Sequence, residues 1–233
     1  MPDAMDVWRA GAPRIDMFAA DIYSPDFAGF CARYSQSGNP LFIAETGGGQ
    51  DLKARALYVF GRHDAISFSP FGIDRMVGND ADPFGYDLIS RLAPLILEHQ
   101  GNGTMSAVLL RPGDPPQKVV VGNYTLEAAA TRPRGAPSPQ PPAQQQQPAP
   151  ASGALFIATG PDEFIAVGSG VTVTFSPNTP GLPLAGLATV EEGAFVNGRW
   201  VPGRRLAGDD TEQGQYLDLR NMGIQRFTLY RYR

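Results

Sequence analysis

Asn39-Pro40-Leu41-Phe42-Ile43-Ala44-Glu45-Thr46-Gly47-Gly48-Gly49 is the stretch on which the reading of this chain turns. Four apolar residues, Leu41 to Ala44, stand between turn signals and read as a short, fully buried strand. A carboxylate, Glu45, follows at the strand's C-terminal end, and then a glycine turn. In parallel α/β architectures that end of the strand is where catalytic groups collect. A glutamate there can act as nucleophile, base or metal ligand. It can equally cap the next helix or face solvent, and position alone does not choose.

The flanking sequence extends the pattern in both directions. Residues 14–23, Arg-Ile-Asp-Met-Phe-Ala-Ala-Asp-Ile-Tyr, read as a largely buried strand ending in Asp21 and Tyr23. Ser24-Pro25 predicts a helix start, with serine as N-cap and proline at the first helical position. Phe27, Phe30, Cys31 and Tyr34 then fall on one helix face. On that face Cys31 reads as a small core residue rather than a reactive thiol. Gly38 stops the helix. Beyond the glycine turn, a second helix is predicted from Asp51 to His63, with Leu52, Ala56, Val59, Phe60 and His63 on its inner side. Ala65 to Ser69 forms a third strand. Residues 82–100 predict a third helix, which Pro94 is expected to kink or divide. Strand followed by helix, three times over, is the pattern of a parallel sheet with right-handed crossovers. Three such units cannot close a barrel and make a small open sheet.

The texture changes after Gly101. Short β-like runs at Thr104–Leu110, Lys118–Val121 and Tyr124–Ala128 are separated by turn residues. Residues 131–152 are Pro-rich, with four consecutive glutamines, and are expected to form a mobile loop or linker. Further β-like runs follow at Leu155–Thr159, Phe164–Val167, Val171–Phe175, Leu187–Glu191 and Gly193–Val196. The alternating stretch 226–232 closes the chain. The expected organisation is therefore an α/β unit over residues 1–101 and a β-rich, mostly antiparallel unit over 102–233, able to fold alone.

Composition bounds the function. The 233 residues are 42% hydrophobic, and no run is long and apolar enough to span a bilayer. The net charge of −4, without a basic block, argues against nucleic acid or anionic lipid as partner. A single cysteine excludes an internal disulfide framework. The first residues, Met-Pro-Asp-Ala-Met-Asp, lack the basic start and apolar core of an export signal.

Several chemistries fail on detail. The glycines at 47–49 invite a phosphate-loop reading, but Leu52 stands where a third glycine belongs and no Gly-Lys-Ser/Thr follows. Two histidines and one cysteine argue against a zinc site, and no metal and no cofactor is expected. His63 reads as a core-edge residue, and His99 as solvent-facing or bonded to the last helix carbonyls. No Gly-x-Ser-x-Gly elbow is present. What remains is carboxylate chemistry with aromatics. Tyr23, Glu45 and Phe68 each fall at or near a strand end, where neighbouring parallel strands would gather them. A carboxylate, an orienting phenol and an aromatic platform suit a sugar. Phe71 reads as core.

At this point the residues look like a family. Ala-Asp-Ile-Tyr (20–23), Ser-Pro-Asp-Phe (24–27), Gly-Asn-Pro-Leu-Phe-Ile-Ala-Glu (38–45) and Ile-Ser-Phe-Ser-Pro-Phe-Gly-Ile-Asp (66–74) resemble the last strands of a bacterial β-galactosidase barrel of glycoside hydrolase family thirty-five. Gly193 to Trp200, Gly203 to Asp210 and Gly223 to Tyr232 resemble the β-rich C-terminal domain found in one branch of it. The resemblance implies a (β/α)₈ TIM barrel with two catalytic glutamates, of which Glu45 matches the nucleophile ending the seventh strand. The family often has proline where Ala44 stands. It further implies that residues 1–101 are the last three βα units, followed by an antiparallel, sandwich-like C-terminal domain.

The chain is then expected to be the C-terminal part of a retaining glycosidase acting on a carbohydrate substrate. Glu45 would be catalytic, Tyr23 and Phe68 substrate-binding, and the acid/base absent from this chain. Such a chain is expected to lack useful turnover alone. It is also expected to self-associate unless a partner supplies the missing barrel half. The compartment stays open, a periplasmic or secreted enzyme being compatible with the resemblance. The competing expectation is a non-catalytic carbohydrate-binding or structural β module.

Overall fold

A computed structural model describes residues 2–36, 38–47, 49–72, 85–131 and 149–233. The fold is mixed α/β, with most strands antiparallel. A short helix, α1 (Met5–Gly11), precedes β1 (Ala19–Ile22), α2 (Phe27–Tyr34), β2 (Phe42–Thr46), α3 (Leu52–His63), β3 (Ser67–Pro70) and α4 (Tyr86–His99). β1, β2 and β3 form a parallel sheet in that order. The remaining strands are β4 (Met105–Leu110), β5 (Gln117–Val121), β6 (Tyr124–Ala130), β7 (Ser152–Ala158), β8 (Glu163–Ser169), β9 (Val171–Pro177), β10 (Leu184–Val196), β11 (Arg199–Leu206), β12 (Leu217–Leu219) and β13 (Gly223–Tyr232). They build two antiparallel sheets, β11-β10-β13-β8-β7-β4 and β12-β9-β6-β5. Among the described residues no helix is long and apolar enough to cross a membrane.

Three cores stack through the molecule. The first fills the space between the two antiparallel sheets and centres on Tyr124, Phe156, Phe164 and Phe227. The second lies between the parallel sheet and the helices, with Ile22, Phe27, Ile43 and Val59. The third joins α3 and α4 to the outer face of the six-stranded sheet, with Leu57, Leu92, Leu155, Ile157, Ile165 and Val167. The strands β4, β7 and β8 are buried on both faces, because alternate residues serve different cores. On β7, Ala154 and Phe156 point into the sandwich while Leu155 and Ile157 meet the helices. This explains why their sequences are continuously apolar rather than alternating.

The same layering explains α3. Its sequence reads as one apolar face, but Leu52, Ala54, Ala56, Leu57, Val59 and Gly61 are all buried, since a sheet packs on each side of it. The expected break at residue 101 is therefore a connection between packed layers. Cutting there would uncover Leu155, Ile157, Ile165 and Val167.

Local differences have local causes. Asp26, not Ser24, is the N-cap of α2: its Oδ1 accepts from the Gly29 amide at 3.2 Å, while Ser24 Oγ accepts from the Asp26 amide at 3.1 Å. Pro94 does not divide α4, which runs unbroken through it. β11 and β12 escape the sequence reading. β11 is an exposed edge strand carrying Pro202, Gly203 and three arginines, a composition that resembles a loop and suits an edge. β10 runs as one strand across Glu192, where the sequence suggests two. The Pro/Gln-rich insertion falls largely at 132–148, and the start of the third helix at 82–84, both outside the described residues. Its flanks are anchored: the Thr131 amide donates to Gly170 at 2.8 Å and the Ala151 amide to Asp51 Oδ1 at 2.7 Å. Ser152 already belongs to β7.

Candidate active site

The strand β2 carries one residue more than either neighbour. Ala20 pairs with Ile43, but the next pair is Asp21 with Glu45. On the other side Ile43 pairs with Phe68 and Thr46 with Pro70. The extra residue at 44–45 is a β-bulge, which resets the alternation of side chains. Ile43 and Thr46 are both fully buried on the helix side, whereas Ala44 is exposed and Glu45 partly so. The bulge thus delivers Glu45 to the open face beside Asp21. Thr46 Oγ1 locks the arrangement by donating to the Ile22 carbonyl at 2.8 Å.

Tyr23 completes the pair. Its hydroxyl donates to Glu45 Oε1. That bond is the main reason the Tyr23 pKa is pushed up to about 12, with desolvation and the charges of Glu45 and Asp21 adding to it. The phenol therefore remains a proton-bearing donor throughout the physiological range. Gly47 makes room for the ring, since a Cβ there would lie 3.1 Å from two of its carbons. The Gly47 carbonyl is held in turn by Arg55 Nη1 at 2.7 Å. Arg55 is itself positioned by Asp51 at 3.7 Å and by the Phe27 ring at 4.7 Å. A chain of contacts runs from the core of α3 to the phenol.

This arrangement makes a spectroscopic prediction. An ultraviolet tyrosinate titration of the intact protein should show one phenol ionising near pH 12. Glu45→Gln should return that component toward the ordinary tyrosine value of about 10. An unchanged titration curve in the variant would mean that Glu45 does not hold Tyr23.

The structure brings Tyr23 and Glu45 together and leaves Phe68 apart. Phe68 is 5% exposed, with its ring in the core behind the sheet, because alternation along β3 turns Phe68 and Pro70 toward the helices. Phe71, read as core, is instead 56% exposed, and its amide donates to the Thr46 carbonyl at 2.9 Å. Among the described residues, Phe71 is an exposed aromatic at this end of the sheet, as is Tyr23. Asp21 and Arg55 belong to the same cluster. Asp21 was legible, since it lies two residues before Tyr23 and hence on the same strand face. Arg55 carries no such signal, because only the packing of α3 against the turn brings it to Gly47.

The histidines lie elsewhere. Ser35 Oγ donates to the Cys31 carbonyl at 2.8 Å, which uses its only proton. His63 Nδ1, at 3.2 Å from Ser35 Oγ, must then be the protonated nitrogen, and Nε2 accepts from the Tyr58 hydroxyl at 3.3 Å. Burial, reinforced by Arg62, pulls the His63 pKa down to about 4, so the ring stays neutral. Cys31 is fully buried beside this network and burial pushes its thiol up to about 12. His99 Nδ1 pairs with Thr104 Oγ1 at 2.6 Å. Among the described residues, no group of three or more His, Cys, Asp or Glu side chains is arranged to hold a metal ion.

Comparison with known proteins adds a family and no activity. No curated protein matches the chain. A family match begins near α4, which packs on the six-stranded sheet, and ends in β12. Over residues 84–218 the chain fits the model described as "Domain of unknown function (DUF5597)", and it belongs to that family.

Proposed function

We propose that this chain carries the nucleophile of a retaining glycoside hydrolase of the β-galactosidase type, with Glu45 as that nucleophile. The observation that carries the reading is the Tyr23 hydroxyl bonded to Glu45 at the C-terminal ends of adjacent parallel strands. In the retaining mechanism a carboxylate attacks the anomeric carbon to form a glycosyl ester, while a second carboxyl, about 5–5.5 Å away, protonates the leaving oxygen and then activates water. A phenol donor suits the first role. Its hydrogen bond orients the carboxylate through Oε1 and leaves the other oxygen to attack. Asp21 is an unsuitable second carboxyl, because it stands beside Glu45 on the same sheet face rather than across a sugar ring.

In this reading β1, β2 and β3 are the sixth, seventh and eighth strands of a (β/α)₈ barrel. The open face bearing Asp21, Ala44 and Glu45 would look into its mouth, and Phe71 would offer a stacking surface. The general acid would come from the other barrel strands. A general acid alone contributes about 10²–10⁴ in rate, so residues 1–233 by themselves should show no useful turnover. The test is an aryl β-galactoside assay on the protein as isolated from its source, whatever its length, together with its Glu45→Gln variant. The natural protein should hydrolyse the substrate, and Glu45→Gln should lower kcat by roughly 10³–10⁶. No hydrolysis by the natural protein, or undiminished hydrolysis by the variant, overturns the assignment. The first of these outcomes would favour the reading as a non-catalytic carbohydrate-binding or structural β module.

A further inference from the structure

A polar cleft of about 180 Å³ opens at one end of the β-sandwich, far along the chain from Glu45. Glu192 of β10, Arg204 of β11, Asp210, Asp218 of β12, Arg220 and Gln225 line it. The local backbone explains the convergence. β10 and β11 pair Glu191 with Arg205 but Gly193 with Pro202, so β11 carries an extra residue at 203–204. Bulges of this kind re-aim side chains and recur beside functional sites. Each guanidinium is already matched: Arg204 reaches Asp210 at 2.5 Å and Arg220 reaches Asp218 at 2.5 Å.

Among the described residues, two buried oxygens of side chains that line this cleft have no donor. Gln225 is 6% exposed, and its amide nitrogen donates to the Asp218 carbonyl at 3.0 Å, but its Oε1 is unpartnered. Asp218 Oδ2 accepts from Arg220, but its Oδ1 is also buried without a partner. Buried acceptors are normally satisfied, so two in one cleft indicate a missing donor.

The lining selects the donor's chemistry. A divalent cation is disfavoured by two guanidinium groups that already occupy two of the carboxylates, and no metal-holding cluster exists among the described residues. An anion is disfavoured because three carboxylates outnumber two guanidinium groups. A neutral polyol fits both halves of the set, since each hydroxyl donates to an orphan oxygen and accepts from an arginine. We infer that this cleft is a saccharide-binding subsite of the β-rich unit, with Gln225 and Asp218 as acceptors and Arg204 at its rim. The inference uses none of the residues around Glu45 and stands independently of the glycosidase reading.

Saturation-transfer NMR on the full chain with D-galactose, D-glucose and N-acetyl-D-glucosamine tests it. At least one sugar should bind with Kd in the roughly 1 mM range. Gln225→Met keeps the side-chain volume and removes the acceptor together with the amide donor to the Asp218 carbonyl, and Arg204→Gln changes the exposed rim and its pair with Asp210. Gln225→Met should weaken binding by about tenfold, the loss expected when a buried acceptor is removed, and Arg204→Gln should weaken it by less. Arg204→Gln keeps the test decisive if Gln225→Met does not fold. Absence of transfer from all three sugars to the wild-type chain overturns the inference. So does binding that survives both substitutions but is lost in Glu45→Gln, which would place the sugar at the strand ends. A melting temperature raised by calcium chloride and by none of the sugars would likewise overturn it, in favour of a cation.

Discussion

Gly153→Val is expected to destabilise the protein by about 3 kcal/mol or more, at the upper end of overpacking costs. Gly153 lies on β7, where the strand passes directly under α3. A Cβ at this position would sit 2.8 Å from the Ala54 Cβ and 2.9 Å from its Cα. The obstruction is helix backbone, which cannot step aside as a flexible side chain can. Gly61 makes the matching approach from the helix, where a Cβ would fall 2.8 Å from Ala107 and 2.9 Å from Leu155. Two glycines and an alanine thus let α3 lie flat on the six-stranded sheet. For a protein of this size the melting temperature should fall by about 6–12 °C. The effect should also reach the candidate site, because the displaced helix carries Arg55, which holds Gly47 and the Tyr23 ring against it. The high tyrosine titration should therefore shift back toward its ordinary value in this variant. An unchanged melting temperature would mean that helix and sheet do not pack as closely as described.

Phe227→Ala should cost about 3–5 kcal/mol, the range for removing a buried phenylalanine. Phe227 is fully buried on β13 at the centre of the sandwich. Its ring stacks on Phe164 at 5.1 Å and leans on Phe175 at 5.4 Å, joining β13, β8 and β9 across both sheets. Such pairs add about 0.5–1.5 kcal/mol beyond the area they bury. The cavity would be lined by rings on rigid strands, which collapse poorly. Denaturant unfolding of the full chain provides the measurement. A loss below about 1 kcal/mol would show that the sandwich core tolerates a void and is not close-packed there.

Much of the α/β region was legible from the chain. The apolar run Leu41–Ala44 and the run Ala65–Ser69, each beside turn residues, mark strands, and the 3.6-residue spacing of Phe27, Cys31 and Tyr34 marks α2. All three residues are buried. The β-like runs between Thr104 and Phe175 correspond to observed strands, with shifts of a few residues at their ends. Failures occur where the local pattern has two causes. Phe68 and Phe71 look alike on paper, and their opposite fates follow from where β3 ends. Asn39 reads as a turn residue, yet it is buried and ties the Tyr34 carbonyl at 2.8 Å to the Phe18 amide at 2.8 Å. β11 looks like a loop because edge strands are built from the residues that discourage further pairing.

The sequence by itself determined the order of elements, the change from βα units to antiparallel sheet, and the placing of Glu45 and Tyr23 at strand ends. These follow from local periodicity and turn chemistry, which neighbouring residues specify. Only the tertiary structure decided that one extra residue in β2 turns Glu45 out beside Asp21, and that Arg55 and Gly47 secure the phenol. It alone also placed α3 between two sheets and left two acceptors without donors in the sandwich cleft. Register, bulges and layer packing depend on contacts between segments distant in the chain, and no local pattern carries that information.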